Sequence, residues 1–260
     1  MITSLANKTI KDAAALKKSG ERRKSGLILI DGFREIEIAM QAQVKIHSLF
    51  YCLELIAGRP GVFDKVSAEK RIEVSQAVFK KICYKENPDG FLAMAEPRER
   101  QLKDLKLSVN PLIIILENVE KPGNLGGIIR TAYAAGVEAI IINSAQTDIY
   151  NPNVIRASEG YVFKKDIISA SVPDTIKWLK KNKIKSFGAA TTGAKVYTAV
   201  DLTGGVAIVL GSEASGLSAE WLKGAGKLIK IPMKDGIDSL NVSAAAAVII
   251  YEAVRQRMKI

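Results

Sequence analysis

Residues Ile231–Arg257 read IPMKDGIDSLNVSAAAAVIIYEAVRQR: an apolar strand end, a proline, a short polar loop and then a long helix. Asp238 and Ser239 are the residue types that accept hydrogen bonds from the free N–H groups of a first turn, so the helix is expected to begin there. Leu240, Ala244, Ala247, Val248, Tyr251 and Val254 recur at helical spacing. Two features exceed what a packing helix needs. Ser239, Asn241 and Ser243 crowd the helix start, where their side chains compete with the backbone for hydrogen bonds. Ala244–Ala247 is a run of small side chains that lets another backbone or a flat ligand come close. The plainer reading is a helix packed on a sheet with a polar cap, and the rest of the chain decides between the two.

Upstream, apolar runs at Leu112–Leu116, Ala139–Ile142, Ile184–Ala189, Val206–Leu210 and Lys227–Ile231 alternate with helical stretches. Continuous β-branched runs belong to strands buried on both faces, hence to a parallel sheet covered by helices. Ligands in such sheets bind beyond the strand C-terminal ends. Polar residues and glycines gather at three of those ends: Glu117–Gly127 leading to a helix with Arg130, Gly211–Gly216, and the Ile231 loop. Neither the glycine pattern of a dinucleotide fold nor a P-loop is present. Eight residues, Glu117–Asn124, are expected to precede the helix in place of a tight glycine turn.

Before Leu112 the chain reads as a small α/β unit. A basic helix over 9–20, strands at Leu27–Ile30 and Ile46–Leu53, a helix at Phe33–Met40 and a loop over 56–64 lead to an apolar run at Phe91–Ala95. Ala95–Asn110 is charged and ends in Asn110-Pro111, a linker signal. The expected division is 1–105 and 106–260.

Composition narrows the chemistry. The 260 residues carry a formal net charge of +11. Seven basic residues against two acidic ones fall within 1–24. Lys11, Lys17, Lys18, Arg22, Arg23 and Lys24 form a local, one-signed patch suited to a phosphate backbone. A solvated helix face is the plainer alternative. His47 is the single histidine, which disfavours triad catalysis and excludes a multi-histidine metal site, so a structural role is expected. Cys52 and Cys83 lack metal-ligand spacing and read as buried free thiols. No run reaches the length of a membrane span and no apolar leader precedes the first charges, so a cytoplasmic protein is expected.

Three segments resemble the signature motifs of the SpoU (TrmH-type) family of RNA ribose 2′-O-methyltransferases in the SPOUT superfamily. They are Asn124-Leu125-Gly126-Gly127-Ile128-Ile129-Arg130-Thr131-Ala132, Leu210–Leu217 (LGSEASGL), and Ile231-Pro232-Met233 with Asp238–Ser243 (DSLNVS). The segment NVIRASEG over 153–160 is similar to another family stretch, with Glu159 where a small or apolar residue is expected. Asn7, Lys11, Leu16, Arg22, Arg23, Gly26, Ile30 and Gly32 resemble the start of a small RNA-binding domain that many relatives carry.

The resemblance implies an α/β fold with a parallel-sheet SPOUT domain that holds a deep trefoil knot, preceded by the RNA-binding domain. It implies S-adenosyl-L-methionine as cofactor, held around Thr191, Gly211, Ile231 and Leu240. It also implies a homodimer, no metal, and structured RNA as substrate, ribosomal RNA before transfer RNA. Arg130, Asn124, Glu213, Ser239 and Asn241 become the catalytic set. In it Arg130 acts as a base or holds the phosphate beside the target ribose, and Glu213 braces Arg130 or RNA-facing groups. Two other classes stay open: a non-enzymatic RNA-binding or ribosome-assembly protein, and a nucleotide-dependent oxidoreductase.

Overall fold

The structure, a computed structural model, describes residues 1–56, 65–144, 147–191 and 194–258. Most of the 56–64 loop and Thr192 lie outside the described residues. The chain separates into two compact units, residues 1–98 with 148–164, and residues 99–147 with 165–260.

In the first unit, α1 (Lys8–Ala15) is capped by Asn7, whose side chain accepts from the Thr9 backbone N–H. The expected helix over 9–20 is broken. Lys18 adopts an extended conformation and α2 (Ser19–Ser25) starts afresh, ending at Gly26 in the left-handed region that ordinary side chains avoid. β1 (Ile28–Asp31), α3 (Phe33–Gln41), β2 (Lys45–Tyr51), β3 (Arg71–Glu73), α4 (Gln76–Ile82) and β4 (Phe91–Glu96) follow. The sheet order is β1-β4-β2-β3, antiparallel except for β2–β3. Ile10, Leu29, Phe50, Phe79 and Leu92 are among the side chains filling the core between sheet and helices. Cys52 and Cys83 are buried free thiols. His47 lies on β2 with Nε2 3.5 Å from Glu96.

Residues 148–164 follow the second unit's second strand in sequence but pack in the first unit. They contain α6 (Pro152–Ala157), capped by Asn151. Asp148 pairs with Arg22, Glu159 with Arg34 at 2.8 Å, and Lys164 donates to Gln41 at 2.7 Å. Gly160, at φ +80°, brings the chain so close to α3 that an added Cβ would stand 3.1 Å from the Glu35 Cα. The unusual Glu159 thus serves an ion pair within this unit.

The second unit is a seven-stranded, all-parallel sheet. Its strands are β5 (Leu112–Glu117), β6 (Ala139–Asn143), β7 (Asp166–Ser169), β8 (Lys185–Ala189), β9 (Lys195–Val196), β10 (Val206–Leu210) and β11 (Lys227–Lys230), in the order β7-β6-β5-β10-β8-β11-β9. All five apolar runs become strands. The edge strands β7 and β9 were not expected, being short and barely apolar, with partners on one side only. α5 (Pro122–Ala134), α7 (Val172–Lys181), α8 (Ala219–Gly224) and α9 (Val242–Arg257) accompany the sheet. A buried polar chain locks part of the packing. Trp221 Nε1 donates to Asn143, and Asn143 Nδ2 donates to Thr175, which donates to the Ser171 carbonyl. Every member is satisfied, the condition under which buried polar groups add specificity rather than cost. At the far end of α9, Arg257 donates to the carbonyls of Leu202, Asn110 and Gly204, tying the helix to the segments entering β5 and β10. No helix among the described residues is long and apolar enough to cross a membrane.

Candidate active site

Two helix starts and one loop make the site, all in the second unit. α5 begins at Pro122, inside the stretch expected to precede it, because proline is pre-shaped for a first helical position and its missing N–H is not needed there. Asn124 therefore stands in the first turn. α9 begins at Val242, three residues later than expected, and its cap is Asn241: Oδ1 accepts from Ser243 N at 3.0 Å and from Ser243 Oγ at 2.6 Å. Ser239 lies in the exposed loop before the helix and does not cap it.

The loop after β10 carries Glu213. Ser212 and Gly216 exchange backbone hydrogen bonds at 3.0 and 3.1 Å across it. A Cβ on Gly211 would come within 2.2 Å of the Gly216 carbonyl, so only glycine allows this closure.

The Glu213 carboxylate meets residues from both other motifs. Asn124 Nδ2 donates to it, and so does Asn241 Nδ2 at 2.9 Å. Asn241 Nδ2 also reaches Asn124 Oδ1 at 3.1 Å. Lys121, immediately before α5, pairs with the same carboxylate. The Lys121 ammonium, chiefly, then the Asn124 amide and the Val242 backbone N–H hold the Glu213 carboxyl below the usual carboxylate range. The positive ends of two helices, α5 and α9, act in the same direction. Lys121 was missed in the sequence; its position one residue before the proline that opens the motif helix was the available signal.

Arg130 lies on the exposed surface of α5. The Glu213 carboxylate accepts from Lys121, Asn124 and Asn241.

Beside this cluster, beyond the C-terminal ends of β8, β10 and β11, lies a cavity of about 960 Å³. Thr191, Gly211, Ile231 and Leu240, the four expected cofactor residues, all line it, and so do Glu213 and Ser239. Leu240 and Ile237 on its wall are 38% and 56% exposed, apolar side chains with little over them. The volume lies in the range of small-molecule sites, and the mixture of apolar walls with loop backbone groups suits an adenosine-sized ligand. The residues present therefore fit S-adenosylmethionine.

The basic patch sits in the first unit and is not uniform. Lys11, Lys18, Arg23 and Lys24 are exposed. Lys17 instead donates to the carbonyls of Lys81 and Cys83, at 2.8 and 2.6 Å, and its partial burial lowers its pKa. Arg22 is 5% exposed and is spent on the Leu16 carbonyl and Asp148. Both side chains fold back onto backbone carbonyls and, for Arg22, onto a carboxylate within the unit.

Comparison with known proteins places this geometry. Residues 111–251 match the model of the SpoU rRNA Methylase family, and residues 7–93 match the MRM3-like substrate binding domain. The Bacillus subtilis 23S rRNA (guanosine(2553)-2′-O)-methyltransferase RlmP is 26% identical over 96% of this chain and 97% of its own length. The Xylella fastidiosa 23S rRNA (guanosine-2′-O-)-methyltransferase RlmB is 38% identical over 61% of this chain and 65% of its own. Among solved structures, an RNA 2′-O ribose methyltransferase shares 38% identity over 98% of each chain, with a TM-score of 0.86. The rRNA methyltransferase of Sinorhizobium meliloti, with AdoMet bound, gives 0.90 at 30% identity over 99% of this chain and 98% of that one. The family match spans all three strand ends whose side chains converge here, and the likeness to solved relatives runs nearly end to end: the chain belongs to the SpoU rRNA methylase family.

Proposed function

We propose that this protein methylates a ribose 2′-hydroxyl in ribosomal RNA, using S-adenosylmethionine. The observation that carries the reading is the meeting of Asn124, Glu213 and Asn241, one residue from each motif, at the rim of the cavity lined by Thr191, Gly211, Ile231 and Leu240. When bound, S-adenosylmethionine supplies a methyl group already activated on a sulfonium.

The chain's own task is then alignment and charge control. Gly211 and Ile231 offer backbone groups, and Leu240 an apolar face, to hold an adenosine. Ionised Glu213 fixes the amides of Asn124 and Asn241, so that these helix starts present a rigid polar edge to the incoming ribose and phosphate. Ser239, exposed on the cavity wall, adds a hydroxyl to that edge. Arg130 offers a planar fork of N–H donors and no acceptor. Its role here is to grip the phosphate beside the target ribose and to stabilise charge developing on the 2′-oxygen. The exposed Lys11, Lys18, Arg23 and Lys24 guide the RNA, with residues 1–105 as the substrate-selecting part and 106–260 as the methyltransferase part. A cytoplasmic homodimer, with the second part threaded as a trefoil knot, completes the reading.

The test is methyl transfer from labelled S-adenosylmethionine to ribosomal RNA lacking the modification, with wild type beside Arg130→Ala. Label on one large-subunit ribose, lost in the variant, is expected. Label on transfer RNA would redirect the substrate. Cofactor binding with no transfer to either RNA would overturn the activity.

A further inference from the structure

The second unit has another cavity, of about 1030 Å³, at the opposite end of the sheet. Pro111, Ile184 and Gly205 on its wall immediately precede β5, β8 and β10, whereas the cofactor cavity lies past the other ends of these strands. Strand length separates the two by roughly 15 Å. The catalytic reading uses none of its residues.

The groove runs between the 101–111 segment and α7. Lys177 and Lys181, one helical turn apart, line it with Trp178 between them, and Lys103 and Lys183 join from either side. The stretch 177–185, KWLKKNKIK, holds five lysines and no acidic residue. Asp174, a carboxylate on the wall, already accepts from the Ser171 hydroxyl at 2.6 Å. Trp178 is half-buried and packs against the core, so part of its surface stays open to the groove.

A solvated helix face needs neither a concave wall nor an aromatic among its charges. Cations spaced along a groove around an accessible indole match what single-stranded nucleic acid offers: phosphates at regular intervals and bases free to stack. We propose that this groove is a second RNA-contact surface, taking an unpaired phosphodiester segment with one base against Trp178. The proposal rests on the reading of the protein as an RNA methyltransferase, and it extends the RNA footprint to the face opposite the cofactor.

The tryptophans make the test direct. The protein has two, and Trp221 is fully buried, so quenching by a stacked base reports on Trp178. The probe is a twelve-nucleotide oligouridylate with a terminal fluorophore, titrated at several salt concentrations into wild type, Trp178→Phe and the triple variant Lys103→Gln/Lys177→Gln/Lys181→Gln, with affinity read by its anisotropy and stacking by tryptophan quenching. Its three lysines are exposed, which keeps the fold intact. Wild type should show salt-sensitive quenching. The triple variant should bind about tenfold more weakly, with a log Kd against log salt slope flatter by about 2, the counterion release of three lost phosphate contacts. Trp178→Phe should weaken binding less and leave the slope unchanged. S-adenosylmethionine affinity, measured by calorimetry, should be the same in all three.

No quenching in wild type, or an unchanged slope in the triple variant, would overturn the groove as an RNA site. If wild type still methylated RNA, the activity would stand without it. Loss of modification on ribosomal subunits with oligouridylate binding unchanged would assign the groove to a protein partner and also overturn the proposal. No methyl transfer from wild type to any RNA, with oligouridylate binding intact, would instead remove the enzymatic reading.

Discussion

Asn241 donates from Nδ2 to Oδ1 of Asn124 at 3.1 Å, tying the start of α9 to the first turn of α5 across 117 positions of sequence. The orientation of both amides follows from their partners: Asn241 turns its oxygen to Ser243, so its nitrogen faces Asn124 and Glu213. One amide thus caps a helix and joins two motifs.

Asn241→Ala removes both functions. Loss of the cap should cost about 1 kcal/mol of stability. Misplacing the Asn124 and Glu213 edge should cost far more in rate, about a hundredfold in kcat. Thermal melting beside single-turnover methylation separates the two effects. Asn241→Ser, which still caps, should recover stability but not rate.

Lys121→Gln tests what holds Glu213 ionised. The folded-state pKa of Glu213 is depressed, so its ionisation favours the folded state above the unfolded-chain value, and that contribution is lost as pH falls through the folded pKa. In wild type the acid limb assigned to Glu213 should lie below pH ~4.3, the ordinary glutamate value. Without Lys121 the limb should move upward, while the rate at pH 7 to 8 changes little. A pH–rate profile from pH 4 to 8 for both proteins checks this. Coincident acid limbs would mean that Lys121 does not control the carboxylate.

Arg130→Lys keeps the charge and loses the planar, two-pronged donor. If Arg130 grips a phosphate, turnover should fall at least about tenfold with no change in S-adenosylmethionine affinity, because a point charge does not replace bidentate geometry. Rapid-quench methylation beside calorimetry measures both. A lysine variant with near wild-type turnover would contradict the gripping role.

Arg22→Met should act on stability and not directly on RNA. It strands Asp148 and the Leu16 carbonyl, and removing one partner of a largely buried pair costs about 3 kcal/mol. Lys11→Gln/Lys18→Gln should leave melting unchanged and weaken RNA binding several-fold, with a flatter salt dependence. Melting curves and RNA titrations of the two variants distinguish a structural arginine from surface lysines.

The parallel sheet was legible because its information is local. Ile113–Leu116 and Val206–Leu210 are uninterrupted apolar runs, and a strand buried on both faces admits little else. β9, a two-residue edge strand, carries no such pattern: its pairing with β11 depends on where the neighbouring strand lies. Helix starts were read to within a few residues. The choice among Asp238, Ser239 and Asn241 as cap fell to the residue whose backbone reaches the right conformation beside Ser243.

By itself, the amino-acid sequence determined the α/β class, the strand ends that gather polar residues, and the motif residues whose resemblance pointed to the family and to four residues that line one cavity. Only the tertiary structure decided who meets whom. It gave Glu213 to Lys121, Asn124 and Asn241, folded Arg22 onto Asp148, and packed residues 148–164 with the first unit. The reason is physical. Periodicity, proline and glycine act through the backbone of a few neighbouring residues, so they are written in the order of the chain. The pairing of a charge depends on burial and on partners a hundred residues away, which exist only once the chain has folded.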